Sequence, residues 1–461
     1  MRIVLVYPPM PIVTTSLTPP VGLAYIASVF IENNIEVKVV ASDAEGLDVD
    51  RTVSKILEYS PDIVGFSIST PALNNSLKII RQIKERKPDI IILSGGPHPT
   101  LFPDDFIKSK TDFVVRGEGE NTVSEFCGYL KGSNTLDSIK GFSYVKNGII
   151  THNPDRELIE YLDSLPLPTW DLFPLSTFKS DFRKNKFTLP LVTSRGCPSQ
   201  CTFCYKGIFG NRFRVNSPER IIKELEILID KFKIEEFAII DDNFTADAKR
   251  AAMTCDLMIA KNISIPWTLP AGIRVTSVTK ELMDKLRSAG CYRVAFGIES
   301  GNQEILNSVK KGISLEQVRK AVKVTKGSGI EVIGYFMIGN LEETEETINQ
   351  TITFAVELDP DYAQFTKAIP YPGTAMYTQL KNEKRLKSDT WDTYDYFLKK
   401  QQLFNHKNLS DDVIDAKITQ AYKAFYYRPK YILNYLKKIG SIRDVINLAK
   451  NTFKFLSTFS K

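Results

Sequence analysis

Twice along its 461 residues this chain alternates short apolar runs with longer stretches of helical periodicity, and few folds accept that order. In the first half, residues 2–7, 37–40, 63–69, 90–94 and 113–116 read as strands. Residues 22–33, 49–59, 74–87 and a stretch from 122 read as helices. Strands spaced by helices imply an open parallel sheet covered on both faces, with ligands beyond the carboxyl ends of the strands. Those ends carry small residues: Ser67 and Ser69, Gly95 and Gly96, and Gly117-Glu118-Gly119. Glycine lets a backbone approach a bulky ligand closely, and serine is a compact donor. Three such loops on one edge suit a large flat ligand; the other reading is tight turns alone.

The second run predicts strands at 187–192, 236–240, 267–273, 293–298, 332–338 and 364–368. Helices fall at 218–231, 246–260, 280–289, 315–326 and 343–358. Six β/α units make a partial (β/α)6 TIM-type barrel, whose chemistry collects on the loops after the strands. Those loops hold Asp241-Asp242-Asn243, Arg274, Glu299-Ser300 and Met337-Ile338-Gly339-Asn340. Aspartate and asparagine after a strand also serve as helix caps, whereas glutamate is long for that task. Between the two runs lie a turn at Val145-Lys146-Asn147-Gly148 and a proline-punctuated stretch at 165–175.

One loop carries most of the chemistry. Cys197-Pro198-Ser199-Gln200-Cys201-Thr202-Phe203-Cys204 sets three thiols at a C-x3-C-x2-C spacing just after a predicted strand. Thiolates are soft ligands that suit iron–sulfur clusters. Three of them on a four-iron cube leave one iron open to a small molecule. A zinc site would want four closed ligands, yet no second cysteine pair exists and His98, His152 and His406 are scattered. A disulfide framework would need a secreted context, which six cysteines and a strand-like start do not suggest. Cys127, Cys255 and Cys291 sit in apolar runs and read as core residues. The apolar fraction of 43% and charged fraction of 25% are those of an ordinary globular protein. No apolar run reaches membrane-spanning length. The formal charge of +6 gives no reason to invoke nucleic acid.

The cysteine spacing, with Phe203 before the last thiol, resembles the C-x3-C-x-aromatic-C motif of the radical S-adenosylmethionine (SAM) superfamily. The resemblance implies a [4Fe–4S] cluster on Cys197, Cys201 and Cys204. SAM chelates the open iron and is cleaved to methionine and a 5′-deoxyadenosyl radical that takes hydrogen from unactivated carbon. It further implies SAM contacts at Phe203, Asp241, Asp242, Asn243, Arg274, Glu299, Ser300 and Gly339. The loops Asp241–Thr245, Gly297–Gly301 and Phe336–Thr344 resemble the family's ammonium, ribose and adenine motifs. Ile369–Tyr377 is similar to a loop of its cobalamin-linked subgroup.

Residues 1–145 resemble the cobalamin-binding domain that precedes many radical SAM barrels, with Ser67, Ser69, Gly95, Gly96, Gly117, Glu118 and Gly119 as the implied contacts. Many such domains carry D-x-H-x-x-G, whose histidine ligates cobalt from below. Here Asp43 matches, but Glu45 stands in place of histidine and Asp48 in place of glycine. Glutamate is a poor substitute for imidazole on cobalt. Two readings follow: cobalamin bound without a protein histidine ligand, or a domain that has kept its fold and lost its cofactor.

The expected organisation is α/β: a Rossmann-like domain over 1–145, a linker over 146–185, the barrel over 186–380, and a helical basic region over 381–461. From 421 onward nine basic residues face one acid, and Ile442, Ile446, Ala449, Phe453 and Leu456 recur at helical spacing. Two readings follow: contact with an anionic membrane surface, or a helix packed on the barrel with a solvated basic face. The cysteine usage predicts a cytoplasmic protein, membrane-peripheral on the first reading of the basic tail; the resemblance implies a small-molecule or lipid substrate and an electron donor such as ferredoxin or flavodoxin. Three functions follow in descending order: a cobalamin-dependent C-methyltransferase, a radical cyclase or C–C coupling enzyme, and a non-catalytic corrinoid or redox sensor.

Overall fold

Ile3, Val4, Leu5 and Val6 are all buried, so strand β1 (Arg2–Tyr7) is covered on both faces, as its unbroken apolar run requires. A computed structural model of the protein describes residues 1–10, 18–178, 187–387, 391–394 and 403–438. Around β1 stand β2 (Glu36–Ala41), β3 (Ile63–Ser67), β4 (Ile91–Gly95) and β5 (Phe113–Val115), all parallel, in the order β2-β1-β3-β4-β5. Strands β6 (Phe142–Lys146) and β7 (Ile149–His152) then join antiparallel. The sheet thus runs to His152, past residue 145. Asn147 at φ 53° and Gly148 at φ 79° adopt the left-handed pair of a tight hairpin, which folds the chain back onto β6.

The stretch after β7 has no regular strand, yet it is not a loose tether. Leu162, Leu165, Trp170 and Phe173 are buried, and Ser28 donates to Leu167 O (2.7 Å). One apolar cluster runs through both halves, from β1 and the helix Val21–Glu32 to the barrel.

The barrel begins at β8 (Thr188–Leu191). A two-residue ladder follows, β9 (Ser194–Arg195) against β10 (Arg214–Val215), and it closes the cysteine loop at both ends. Then come β11 (Glu236–Ile239), β12 (Trp267–Ile273), β13 (Cys291–Glu299), β14 (Glu331–Ile338) and β15 (Tyr362–Lys367). The sheet β8-β11-β12-β13-β14-β15 is parallel throughout. Both expected sheets are present. Helix starts are well marked: Ser217 caps Pro218–Asp230, and Ser314 with Gln317 makes a capping box on Leu315–Gly327.

The helix Asp411–Tyr426 covers the edge strand β15, with the Tyr426 hydroxyl donating to Ala363 O (2.7 Å) and Tyr422 bonding Phe365. Arg428 and Lys430 pair with Asp359. The C-terminal region is thus packed on the barrel as far as Lys430. The expected amphipathic positions 442–456 lie outside the described residues. Among the described residues no helix is long and apolar enough to cross a membrane.

Where the two halves meet, the helix Pro218–Asp230 places Glu224 fully inside, near Tyr25 and Arg220. Burial pushes its carboxyl up to about 7, with Arg220 opposing and Asp241 adding. A carboxyl raised in the folded state gives stability that is complete below its unfolded value near 4.5. That stability is lost as pH rises through about 7. Glu224→Gln removes the ionisation. Its stability relative to the parent should rise by up to about 3 kcal/mol between pH 5 and pH 8, read by denaturant melts at the two pH values.

Candidate active site

The loops after the strands of both sheets meet in one place. Leaving β9, the chain turns at Gly196 (φ 85°), where an added Cβ would press on the carbonyls of Arg212 and Phe209. Cys197 is half-buried, Cys201 buried and Cys204 exposed. Backbone bonds from Thr202 to Val309 O (3.0 Å) and from Met376 to Thr202 O (2.9 Å) hold this loop against the rest of the barrel. The Cys204 thiol hydrogen-bonds Cys201 and draws it down to about 6; burial opposes, and Lys311 and Arg274 help. The same bond holds the Cys204 thiol up. A thiol pair that gives up its first proton this easily fits a soft-metal cluster. Among the described residues no three His, Cys, Asp or Glu side chains are grouped to hold a single ion.

Several expected SAM contacts are turned to other work. Asp241 is buried and accepts from the Thr193 amide (2.6 Å), Thr193 Oγ1 (2.5 Å) and Ser194 Oγ (2.6 Å), with Arg250 at 3.8 Å. These three bonds tie the loop at Thr193 and Ser194 to the end of β11. Asp242 accepts from the Gly196 amide (3.0 Å) and so anchors the cysteine loop. Asn243 is buried beside Thr245. None of the three caps the following helix; Asp247 does, through the Arg250 amide. Ser300 is fully buried and bonds Thr351 (3.0 Å) and the Asn302 amide (3.1 Å). Arg274 donates to Ser199 Oγ (2.5 Å), Lys311 O (2.9 Å) and Gly312 O (3.1 Å), so its guanidinium staples the cysteine loop to the loop before Leu315.

Glu299 takes φ 68° at a bulge in β13, and its carboxylate accepts from Lys311 Nζ (2.7 Å). Asn302, three residues later, is the cap of the next helix. Lys311 was not a sequence candidate. Its ammonium lies over the Phe203 ring at 5.8 Å and within electrostatic reach of Cys201 and Cys204, which with Glu299 hold it in the charged form despite burial. It sits twelve residues beyond Glu299, and no local pattern marks it.

After β14, Gly339 (φ 89°) and Asn340 donate their amides to Glu343 Oε2 (2.5 and 2.9 Å). Glu343 is buried and its carboxyl is pushed up to about 7 by that burial. Its Oε1 and Asn340 Oδ1 have no protein partner, which leaves two buried acceptors at the strand end. Phe203 packs against an apolar wall of Met337, Met376, Leu380 and Phe404.

On the other sheet Ser67 and Ser69 are half-buried at the end of β3. Gly95 O accepts from the Ile68 amide (2.8 Å). An added Cβ on Gly96 (φ 100°) would lie 2.9 Å from Ile68 N, so this glycine answers to the neighbouring loop. At Gly117 (φ 74°) an added Cβ meets nothing within 4 Å, and at Gly119 it would touch Ile26. The open face of Gly117 fits a flat ligand. Glu118 does not face that opening: its carboxylate takes Arg195 and Arg214. Glu45 accepts from the Ala41 amide (2.9 Å) and pairs with Lys55. It is not free to ligate, so a corrinoid here receives no protein ligand from this position. His98 is fully buried, bonded to Thr70 (3.0 Å) and packed on Phe102 and Trp391; burial holds it neutral, down to about 4.

The two sets of loops touch at Gly373, beside Tyr205, which directly follows Cys204. An added Cβ on Gly373, beyond β15, would strike the Tyr205 ring at 2.7 Å and Leu101, beyond β4, at 2.8 Å. The Tyr205 hydroxyl is buried without a partner. Sequence reading passed over it.

Comparison with known proteins agrees with this layout. Residues 11–127 match the B12 binding domain family, and residues 191–355 match the Radical SAM superfamily. An uncharacterized methyltransferase of Pyrococcus horikoshii is 36% identical over 94% of both chains. A cytidylyl-2-hydroxyethylphosphonate methyltransferase of Streptomyces wedmorensis is 29% identical over 78% of this chain and 77% of its own. An anaerobic magnesium-protoporphyrin IX monomethyl ester cyclase of Rubrivivax gelatinosus is 27% identical over 78% of this chain and 66% of its own. In fold the chain is similar to the cobalamin-dependent radical enzyme OxsB with aqua-cobalamin bound (TM-score 0.78, 19% identity, 99% of this chain and 72% of that one). It is also similar to the methyltransferase TsrM of Kitasatospora setae (TM-score 0.70, 17% identity, 85% and 81%).

Proposed function

Because this chain belongs to the radical SAM superfamily, among the members whose barrel follows a B12 binding domain, we propose that it is a C-methyltransferase acting on an unactivated carbon of a small molecule. It is a cobalamin-dependent radical SAM enzyme, and its cofactors are a [4Fe–4S] cluster, SAM and cobalamin. Bound there, the cluster with SAM supplies a carbon radical able to take hydrogen from substrate, and the corrinoid supplies a methyl group. The observation that carries the reading is the meeting of both loop sets at Tyr205, Gly373 and Leu101. Reactive groups held on both sides of one junction gain by placement what they would lose by diffusion.

The protein's own residues have separable tasks. Cys197, Cys201 and Cys204 would hold the cluster. Lys311, kept charged by Glu299, would offer a cation to the SAM carboxylate. The Gly339 strand end and the acceptors of Asn340 and Glu343 would face the adenine. Phe203 and its apolar neighbours keep water from the junction. On the other side, Ser67, Ser69, Gly95 and the open face of Gly117 would receive the corrinoid. A ferredoxin or flavodoxin would deliver the electron. Tyr427, Ile432 and Leu433 are exposed at the start of the basic C-terminal stretch, which favours a lipid such as an isoprenoid among small-molecule substrates.

The test is anaerobic reconstitution with iron, sulfide and hydroxocobalamin, followed by reductant and methyl-labelled SAM with lipid and polar extracts supplied separately. Labelled methyl should enter a product one methylene heavier, with 5′-deoxyadenosine formed alongside. Iron uptake without corrinoid uptake would sink the reading. An unlabelled product lighter by two hydrogens would replace it with cyclisation, the activity named for the Rubrivivax relative.

A further inference from the structure

Between the halves lies a group of charges that the cofactor sites do not use. Glu118 stands in the loop after β5, between Gly117 and Gly119. Arg195 ends β9, with Gly196 alone separating it from Cys197. Arg195 Nη1 donates to Glu118 Oε1 (2.9 Å), and Nη2 to Glu120 Oε1 (2.5 Å). Arg214 Nη1, on the partner strand β10, donates to both Glu118 oxygens (3.0 and 2.8 Å) and to Ile159 O (2.6 Å). The Ile159 amide returns a bond to Glu118 Oε2 (2.8 Å). All four charged side chains are at most 6% exposed. The Arg195 guanidinium also lies over the Tyr25 ring at 5.3 Å and the Phe209 ring at 5.2 Å.

Burial of this kind is a poor way to gain stability, because desolvating four charges offsets most of their attraction, and apolar residues would close the interface as well. What charged forks supply is geometry. A planar guanidinium bonded along two edges and stacked on two rings has its position and tilt defined. The two arginines flank the cysteine loop at β9 and β10, and the two glutamates flank Gly119 on the corrinoid side. The charges balance, two against two, so the group is complete without a ligand.

We infer that Glu118, Glu120, Arg195 and Arg214 are positioning residues, a buried strut that fixes the separation of the corrinoid loop from the cluster loop. The strut rests only on the chain holding both cofactors and is independent of whether methyl transfer or cyclisation follows. Failure of the cofactor assignment would appear separately, as no corrinoid uptake.

The test uses full-length protein loaded with cluster and cobalamin, both reduced to their paramagnetic states, with pulsed dipolar EPR between the two spins. The parent should give one narrow separation. Arg195→Lys keeps the charge but loses the fork and the stacking plane, so at equal cofactor loading its distribution should broaden about twofold or more. Arg214→Lys should broaden it as well, and Glu120→Gln, which removes one arm, should do so less. A merely stabilising network would lower the melting temperature and leave the separation sharp; a parent-like distribution in the lysine variants overturns the strut. For any variant that folds but loads poorly, hydrogen–deuterium exchange of the apoprotein reads the same device. Residues 116–120 and 194–204 should speed up together, and acceleration of one loop alone overturns the coupling.

Discussion

Alanine at Cys197, Cys201 and Cys204 together leaves reconstituted protein with no cubane EPR signal and no 5′-deoxyadenosine above background, a fall of at least about a thousandfold. The reason is coordination chemistry. Among the described residues no alternative group of His, Cys, Asp or Glu is arranged to take metal in their place. Cys127, Cys255 and Cys291 are buried, and burial holds their thiols up, at about 11 and about 12 for the first two. They cannot substitute. The fold should survive, because the loop is closed by the β9–β10 ladder and by the Arg274–Ser199 bond, neither of which uses sulfur. Turnover in the triple variant, or an intact cluster signal, would remove the foundation of the proposed chemistry.

Gly196→Ala should be nearly as damaging without touching a ligand. Its φ of 85° costs an L-residue about 1–2 kcal/mol. The added Cβ would also lie 2.8 Å from Phe209 O and closer still to Arg212 O, both backbone atoms that cannot swing aside. The turn must open, and Cys197 moves with it. A loss of about 3 kcal/mol in stability is expected, with iron per chain down roughly tenfold. Gly148→Ala separates the two causes. Gly148 has a similar φ of 79°, but its Cβ would meet nothing within 4 Å. That variant should lose only about 1 kcal/mol and load iron normally. Equal melting shifts in the two variants would show that the clash at Gly196 is relieved and that the turn does not govern the cluster loop.

Legibility in the sequence divided along a clear line. The two parallel sheets were readable because hydrophobic periodicity is a local property, and so was the cysteine loop, whose three thiols lie within eight residues. The substitution of Glu45 for a cobalt-binding histidine was readable too, and the structure adds where that carboxylate goes, onto Ala41 N and Lys55. The acids after β11 were the weaker part. Asp241 looks the same in sequence whether it faces a ligand or pins a strand. The choice was made by Thr193 and Ser194, nearly fifty residues earlier, which satisfy it from inside the protein.

What the amino-acid order determined by itself was the kind of chemistry and the scaffold: soft sulfur ligands on a strand-end loop, and repeated β/α units that must bury both faces of a sheet. Which polar groups remain available was decided only in three dimensions. Lys311 finds Glu299 and the thiols across a bulge, Gly373 finds Leu101 across the junction with Tyr205 at its side, and Arg195 finds Glu118 from 77 residues away. A buried polar atom must be satisfied by whatever the fold brings within about 3 Å, and no local pattern records that distance.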